Sequence, residues 1–305
     1  MRFLTDHTLV EFPGLGWEFD VYANLLEIPM GDGVITIKFY GVLIAFGLIL
    51  AALFGGRKAY TWKMSLDNMV DVLIYGIIGA VVGARAYYVI FQWDHYKNNL
   101  SDIFKIWEGG LAIYGGIIGG ILVAFLVCKK TGLNFIKLLD LIGMSLLIGQ
   151  GIGRWGNYTN QEAFGTNTTL PWGMTSDKIV AYINSHQAEF AQNGFQMDPD
   201  LPVHPTFLYE SLWCLLGFVA LYIVCQKFYK FDGQLFLGYG IIYGIERTIV
   251  EGLRTDSLYI GNTTLRASQV LSLAIVAVCA TVTIYKFIKL RKAKAVEVQE
   301  NVQNY

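Results

Sequence analysis

The stretch GGLAIYGGIIGGILVAFLVC, residues 109–128, runs for 20 residues without a charged side chain. As a helix rising 1.5 Å per residue it reaches about 30 Å, the thickness of a bilayer's hydrocarbon core. Its glycines recur four apart, Gly115/Gly119 and Gly116/Gly120, two overlapping GxxxG steps that let a second helix approach closely. Similar small-residue steps stand at Gly79/Gly83 and Gly149/Gly153. Comparable apolar runs occupy about 36–56, 68–91, 135–153, 206–226, 234–253 and 267–288, which makes seven spans in all. The whole chain agrees: 54% of its 305 residues are hydrophobic and 15% charged, too few charges to cover a soluble surface. An all-α integral membrane protein is the expected fold class.

The connecting segments give the orientation. Arg57, Lys58 and Lys63 lie between spans 1 and 2; Lys129, Lys130 and Lys137 between 3 and 4; Lys227 and Lys230 between 5 and 6. The tail holds Lys286, Lys289, Arg291, Lys292 and Lys294, while the alternate loops are sparser in Lys and Arg for their length. By the positive-inside rule the N-terminus is outside and the C-terminus cytoplasmic. The expected organisation is an extracytoplasmic segment 1–35, a seven-helix membrane domain 36–292 and a cytoplasmic tail 293–305. Within it, loop 154–205 forms a small outer head, and 176–194 reads as an amphipathic helix after a Ser/Asp cap. The N-terminus shows no basic segment leading into an apolar run with a cleavage site and is read as mature protein. Net charge is −1, so no attraction to nucleic acid is implied. Cys128, Cys214, Cys225 and Cys279 all fall in or beside apolar runs, as small packing residues without disulfide or metal-type spacing. No metal and no cofactor are expected.

Ionised groups within a bilayer are costly, so each asks for a partner or a task. Asp67, Asp71 and Asp140 sit in first turns, where a carboxylate complements the helix dipole. The others gather elsewhere. With this topology Arg85, Arg154, Arg247, Glu251 and Arg254 lie in the outer portions of spans 2, 4 and 6. Tyr114, His204, Tyr209 and Glu210 lie at the outer ends of spans 3 and 5. Tyr243, Arg247, Glu251 and Arg254 share one helix face, with Glu246 about 100° away from Arg247. Four arginines against Glu162, Glu210 and Glu251 leave a spare positive charge. A guanidinium fork suits phosphate, as in an anionic lipid headgroup.

The strongest local signal is Gly153-Arg154-Trp155-Gly156-Asn157-Tyr158-Thr159-Asn160-Gln161-Glu162-Ala163-Phe164-Gly165. Its glycines allow close approach to a ligand, and Asn157 and Asn160 bring amide donors and acceptors beside the arginine. The segment resembles the signature of the prolipoprotein diacylglyceryl transferases. So do Lys38-Phe39-Tyr40-Gly41, Gly83-Ala84-Arg85 and Trp107-Glu108-Gly109-Gly110. His204-Pro205-Thr206-x-x-Tyr209-Glu210 and Tyr243-Gly244-x-x-Arg247-x-x-x-Glu251-x-x-Arg254 extend the similarity to spans 5 and 6. One departure stands out: Tyr114 occupies the place where many members have histidine.

The resemblance implies transfer of the sn-1,2-diacylglyceryl group from phosphatidylglycerol to the lipobox cysteine of a prolipoprotein signal peptide, in the bacterial cytoplasmic membrane. Arg154 and Arg247 would hold the phosphate, oriented by Asn157, Glu162 and Tyr243, with Asn160 and Arg85 also in the lipid-binding set. Tyr40, Tyr209, Glu210, Glu251 and Arg254 would support them. The thiol needs a proton acceptor. Tyr114 is a poor base at its ordinary pKa near 10, and His204 is the imidazole nearest the site. A secondary transporter for an organic anion is the alternative, though such proteins carry charges near the midplane and matching halves.

Overall fold

The computed structural model describes residues 1–31, 33–97, 99–192, 194–255 and 265–303. It is mostly helical. In chain order come strands β1 (Arg2–Phe12), β2 (Trp17–Met30) and β3 (Gly33–Lys38) and helices α1 (Phe39–Thr61), α2 (Leu66–Phe91), α3 (Trp93–Tyr96), α4 (Ile113–Thr131) and α5 (Phe135–Asn160). Strand β4 (Thr175–Ser176) follows, then α6 (Asp177–Ser185), α7 (Gln187–Gln192), α8 (Thr206–Ile223), α9 (Gln234–Leu253) and α10 (Ala267–Gln303). All seven expected apolar runs are helical. Six are long and apolar enough to cross a membrane; α8 counts among them with the widened turn that carries it to Phe228. The seventh, α9, is 20 residues long but carries Glu246, Arg247 and Glu251 in its second half. Residues 304–305 of the expected tail lie outside the described residues.

The all-α expectation fits the apolar helices, and residues 2–38 add a sheet that it did not include. The four strands are antiparallel in the order β3-β2-β1-β4. Thr8, Val10 and Phe12 of β1 and Val21 and Ala23 of β2 alternate inward, as strand side chains do. Strand β1 pairs with β4, Val10 opposite Ser176, so the N-terminal segment and loop 154–205 share one core. Val10, Phe12 and Val21 pack there with Phe164, Met174, Ile179, Ile183 and Phe190. Ser176 caps α6 by accepting from the Ile179 N–H at 3.3 Å. The helix expected over 176–194 is present as α6 and α7, broken at His186. Lys178 pairs with Asp6 at 2.8 Å and ties α6 to β1.

The chain divides into two compact units, Phe54–Leu141 and the remainder. Within Phe54–Leu141, α2 packs on α4 through the glycines marked in the sequence. A Cβ at Gly79 would stand 2.9 Å from the Gly119 carbonyl oxygen, and one at Gly119 would stand 2.9 Å from the Gly83 Cα. Opposite Gly79 the Val123 side chain stands closer still, and opposite Gly119 there is only backbone, which cannot yield locally. Gly119→Leu is therefore expected to exceed the ~1–3 kcal/mol typical of an overpacked core. The measurement is the yield and melting temperature of detergent-extracted protein. A variant that melts with the parent would show that the helices can separate freely.

Candidate active site

Helices α5, α8 and α9 are pinned together by polar cross-links. Trp155 Nε1 donates to Ser211 Oγ at 3.1 Å, Gln150 Nε2 to Tyr239 Oη at 2.9 Å and Trp213 Nε1 to the Ile242 carbonyl at 2.9 Å. Between these ties lies the charge cluster. Glu210 Oε1 takes Arg154 Nη2 at 3.0 Å and Arg247 Nη1 at 3.5 Å, while Arg247 Nη2 reaches Glu251 Oε2 at 2.7 Å. The Glu210 side chain is 1% exposed, against 23% for Arg154 and 18% for Arg247. One buried carboxylate thus carries two guanidiniums whose outer sides remain accessible. Tyr243, one turn before Arg247, stacks on Tyr239 at 5.8 Å.

The signature segment continues past α5 as a strained loop. Gln161 and Ala163 both adopt left-handed backbone with φ of 56°, uncommon for side chains other than glycine. Glu162 between them accepts from Asn157 Nδ2 at 3.1 Å. Ser176 Oγ donates to Gln161 Oε1 at 3.0 Å, and Thr206 Oγ1 donates to the Ala163 carbonyl, so neighbours hold the strain in place. Backbone bonds stitch this loop to the starts and ends of other helices: Gly165 N–H to the His204 carbonyl at 3.0 Å, and Thr166 N–H to the Leu253 carbonyl at 2.8 Å. Asn157, Glu162, Phe164, Tyr182, Arg254 and Thr255 help line a cavity of about 310 Å³. It lies beyond the arginine pair, about one turn along α5 from Arg154 to Asn157 and about two along α9 from Arg247 to Arg254. Tyr40 lies against Gly156, where a Cβ would overlap its ring. Asn160 is half-buried in the last turn of α5.

His204 Nδ1 lies 3.1 Å from Tyr209 Oη, which also accepts from Trp172 Nε1 at 2.8 Å. Burial holds the His204 imidazole below the ordinary histidine range, so it is neutral at pH 7. Stability from that neutral form is complete above about 6.5 and is lost as the pH falls below it.

Arg85 and Tyr114 belong to the Phe54–Leu141 unit. All five N–H groups of Arg85 are engaged by backbone carbonyls. Nε donates to Ile103 at 2.7 Å, Nη1 to Gly109 and Gly110 at 2.8 and 2.9 Å, and Nη2 to Asp102 and Lys105 at 2.6 and 3.4 Å. Its guanidinium also lies 5.2 Å from the Tyr96 ring centroid. The lipid-binding role expected for Arg85 finds no free donor in this arrangement; the side chain organises segment 99–110. Tyr114 is exposed at the start of α4.

A family model described as prolipoprotein diacylglyceryl transferase matches residues 28–285, most of the chain. The chain belongs to this family. It is similar to proteins named phosphatidylglycerol–prolipoprotein diacylglyceryl transferase from several bacteria. The one from Finegoldia magna is 46% identical over 242 residues, 79% of this chain and 88% of the relative. That from Listeria innocua is 44% identical over 259 residues, covering 85% and 88%. That from Oceanobacillus iheyensis is 38% identical over 265 residues, covering 87% and 89%. Membership of the prolipoprotein diacylglyceryl transferase family leaves the transporter alternative without support.

Two features of this diacylglyceryl transferase were not foreseen from its sequence. The spare positive charge disappears locally: around Glu210 there are two guanidiniums, and Glu246 joins Glu251 to make three carboxyls. Glu246, which helical spacing puts about 100° away from Arg247, has Glu210 of the facing helix as its neighbour. Trp155 is the other: it is a bridge from α5 to α8.

Proposed function

We propose that this chain transfers the sn-1,2-diacylglyceryl group of phosphatidylglycerol to the cysteine thiol of a prolipoprotein lipobox. The sulfur bonds to the glycerol C3 carbon, the bond from that carbon to phosphate oxygen breaks, and glycerol 1-phosphate leaves. Family membership names the reaction, and the observation that best supports the site is the pair Arg154 and Arg247 on one buried carboxylate. The leaving phosphate gains negative charge, and preformed guanidiniums aimed at it stabilise the transition state more than the ground state. Asn157 from the last turn of α5 and Glu162 from the strained loop orient the ligand, with Asn160 beside them in the lipid-binding set; Arg254 borders the neighbouring cavity, and Glu251 and Tyr243 steady Arg247.

The protein acts in the bacterial cytoplasmic membrane with seven spans, α9 included, since its charges face the cluster. Its N-terminus is outside and its tail, from about residue 293, is cytoplasmic. The sheet and loop 154–205 form the outer head, where the incoming peptide is received. Lys- and Arg-rich alternate loops support that orientation. The test is mass analysis of a lipobox peptide incubated with the purified protein in phosphatidylglycerol vesicles. A diacylglyceryl mass gain on the cysteine is expected, and a peptide of unchanged mass would overturn the assignment.

His204 is the proposed proton acceptor for the thiol, with Tyr209 fixing its ring. Because burial favours the neutral imidazole, transfer is expected to persist to pH values below about 6.5 and then decline as His204 becomes protonated. His204→Asn should remove that acid limb from the pH–rate profile. An identical limb in the variant would assign it to another group.

A further inference from the structure

Glu246 falls at an open position of the motif Tyr243-Gly244-x-x-Arg247, and nothing in the proposed reaction uses it. Yet it is 3% exposed, and its Oε1 has no hydrogen-bond partner. Such a group in a native interior calls for a reason. The register of the two helices supplies its neighbour. Trp213 on α8 bonds to Ile242 on α9, and one turn away Arg247 reaches Glu210 across the same interface. The Glu246 carboxyl is thereby set within hydrogen-bonding reach of the Glu210 carboxyl. Two carboxyls can share a hydrogen bond only if one of them carries a proton. Other groups facing this pair are Arg154 from α5, Cys214 from α8, and Arg247 and Tyr239 from α9. Helix α10 packs on α9 at Gly240 and Gly244, bringing Cys279 and Ser272.

We infer that Glu246 is a positioning residue that holds one proton against Glu210 and passes it across when an anionic phosphate reaches the arginines. The O–H bond on Glu246 breaks, an O–H bond on Glu210 forms, and the pair keeps its net charge. What moves is the place of the negative charge. It leaves the oxygen that grips both Arg154 and Arg247 for a carboxyl that makes no ion pair with either among the described residues. Arg154 Nη2 and Arg247 Nη1 are then released to donate to phosphate oxygens, while Arg247 Nη2 stays on Glu251. The inference rests on the transferase reading and assigns the device that unlocks its binding site.

Glu246→Gln preserves shape and a donor toward Glu210 but has no carboxyl proton to give. Its KM for phosphatidylglycerol in vesicles is expected to rise about tenfold with kcat within about threefold, since ground-state binding is what is impaired. That KM should fall back toward the parent value as the pH is lowered and Glu210 takes its proton from solvent. Glu246→Asp should restore the parent KM. An unchanged KM and pH profile in Glu246→Gln, or loss of folded protein with no KM change in the remainder, would overturn the inference. A second readout does not depend on turnover. The infrared carboxylic C=O band of the wild-type protein should be present, shift on adding phosphatidylglycerol, and vanish in Glu246→Gln. A band indifferent to both also overturns it. If the wild-type protein shows the band and its shift but no transfer, the transferase reading fails while the proton-holding pair stands.

Discussion

Arg247→Ala is expected to lower thioether formation by about 10²–10³-fold, the range seen when one donor to a developing oxyanion is removed. Arg247 joins two carboxylates, Glu210 at 3.5 Å and Glu251 at 2.7 Å, and only it links them among the described ion pairs. Its loss takes away half of the guanidinium pair. It also leaves Glu251, 5% exposed, without that partner. Breaking a buried ion pair from one side costs about 3–5 kcal/mol, so lost stability could imitate lost chemistry. The double variant Arg247→Met/Glu251→Gln separates the two effects. Removing both charges together should recover most of the thermal stability and none of the transfer. Arg247→Lys keeps a charge but not the fork that holds two carboxylates, and should recover only part of the rate. The measurement is the initial rate of peptide mass gain beside a thermal melt of each variant. Near-parent turnover in Arg247→Ala would sink the phosphate role.

The second large effect is of a different kind. Arg85→Ala is expected to destabilise the protein by more than about 4 kcal/mol, beyond the usual range for a point substitution. Five carbonyls lose their donor at once, and each hydrogen bond to a charged group contributes roughly 1.5–3 kcal/mol before non-additivity. Segment 99–110 should become a site of early trypsin cleavage, at Lys105 in particular, and the melting temperature should drop. Arg85→Lys should not rescue it, because three donors on one nitrogen cannot serve acceptors spread from Asp102 to Gly110. A variant with the parent's melting temperature and protease pattern but little turnover would return Arg85 to the headgroup.

These two arginines also show what a sequence can disclose. Both stand in apolar helices and both match family motifs, so Arg247 reads as a phosphate holder and Arg85 as part of the lipid-binding set. The difference lies in where carbonyls turn inward, at Gly109 and Gly110 with φ of 92° and 76°, and pattern reading does not locate such oxygens. The membrane helices were legible because 20 apolar residues leave few other folds open. The GxxxG steps were legible because small residues four apart mark a helix face. The sheet was not. In β1 and β2 the outward positions Phe3, Leu9, Trp17 and Phe19 are apolar too, so no alternation marks the inward Val10, Phe12 and Val21. The neighbour of Glu246 was not legible for a related reason: helical spacing reports the residue's own face and not what the facing helix presents.

The pairing of Val10 with Ser176 has a consequence for how the chain is made. About 165 residues separate the two strands, and at roughly 5–20 residues per second the ribosome needs on the order of 10–30 s to supply the second after the first. For that interval β1 has neither its second neighbour, β4, nor the core side chains of α6, and its apolar residues are open to whatever surrounds them. Assembly of this region is thus a late event that waits on delivery of α5 and the segment after it. A bulky fusion at the N-terminus should therefore slow maturation without harming insertion of α1, and pulse-chase protease protection of β1 would time the delay.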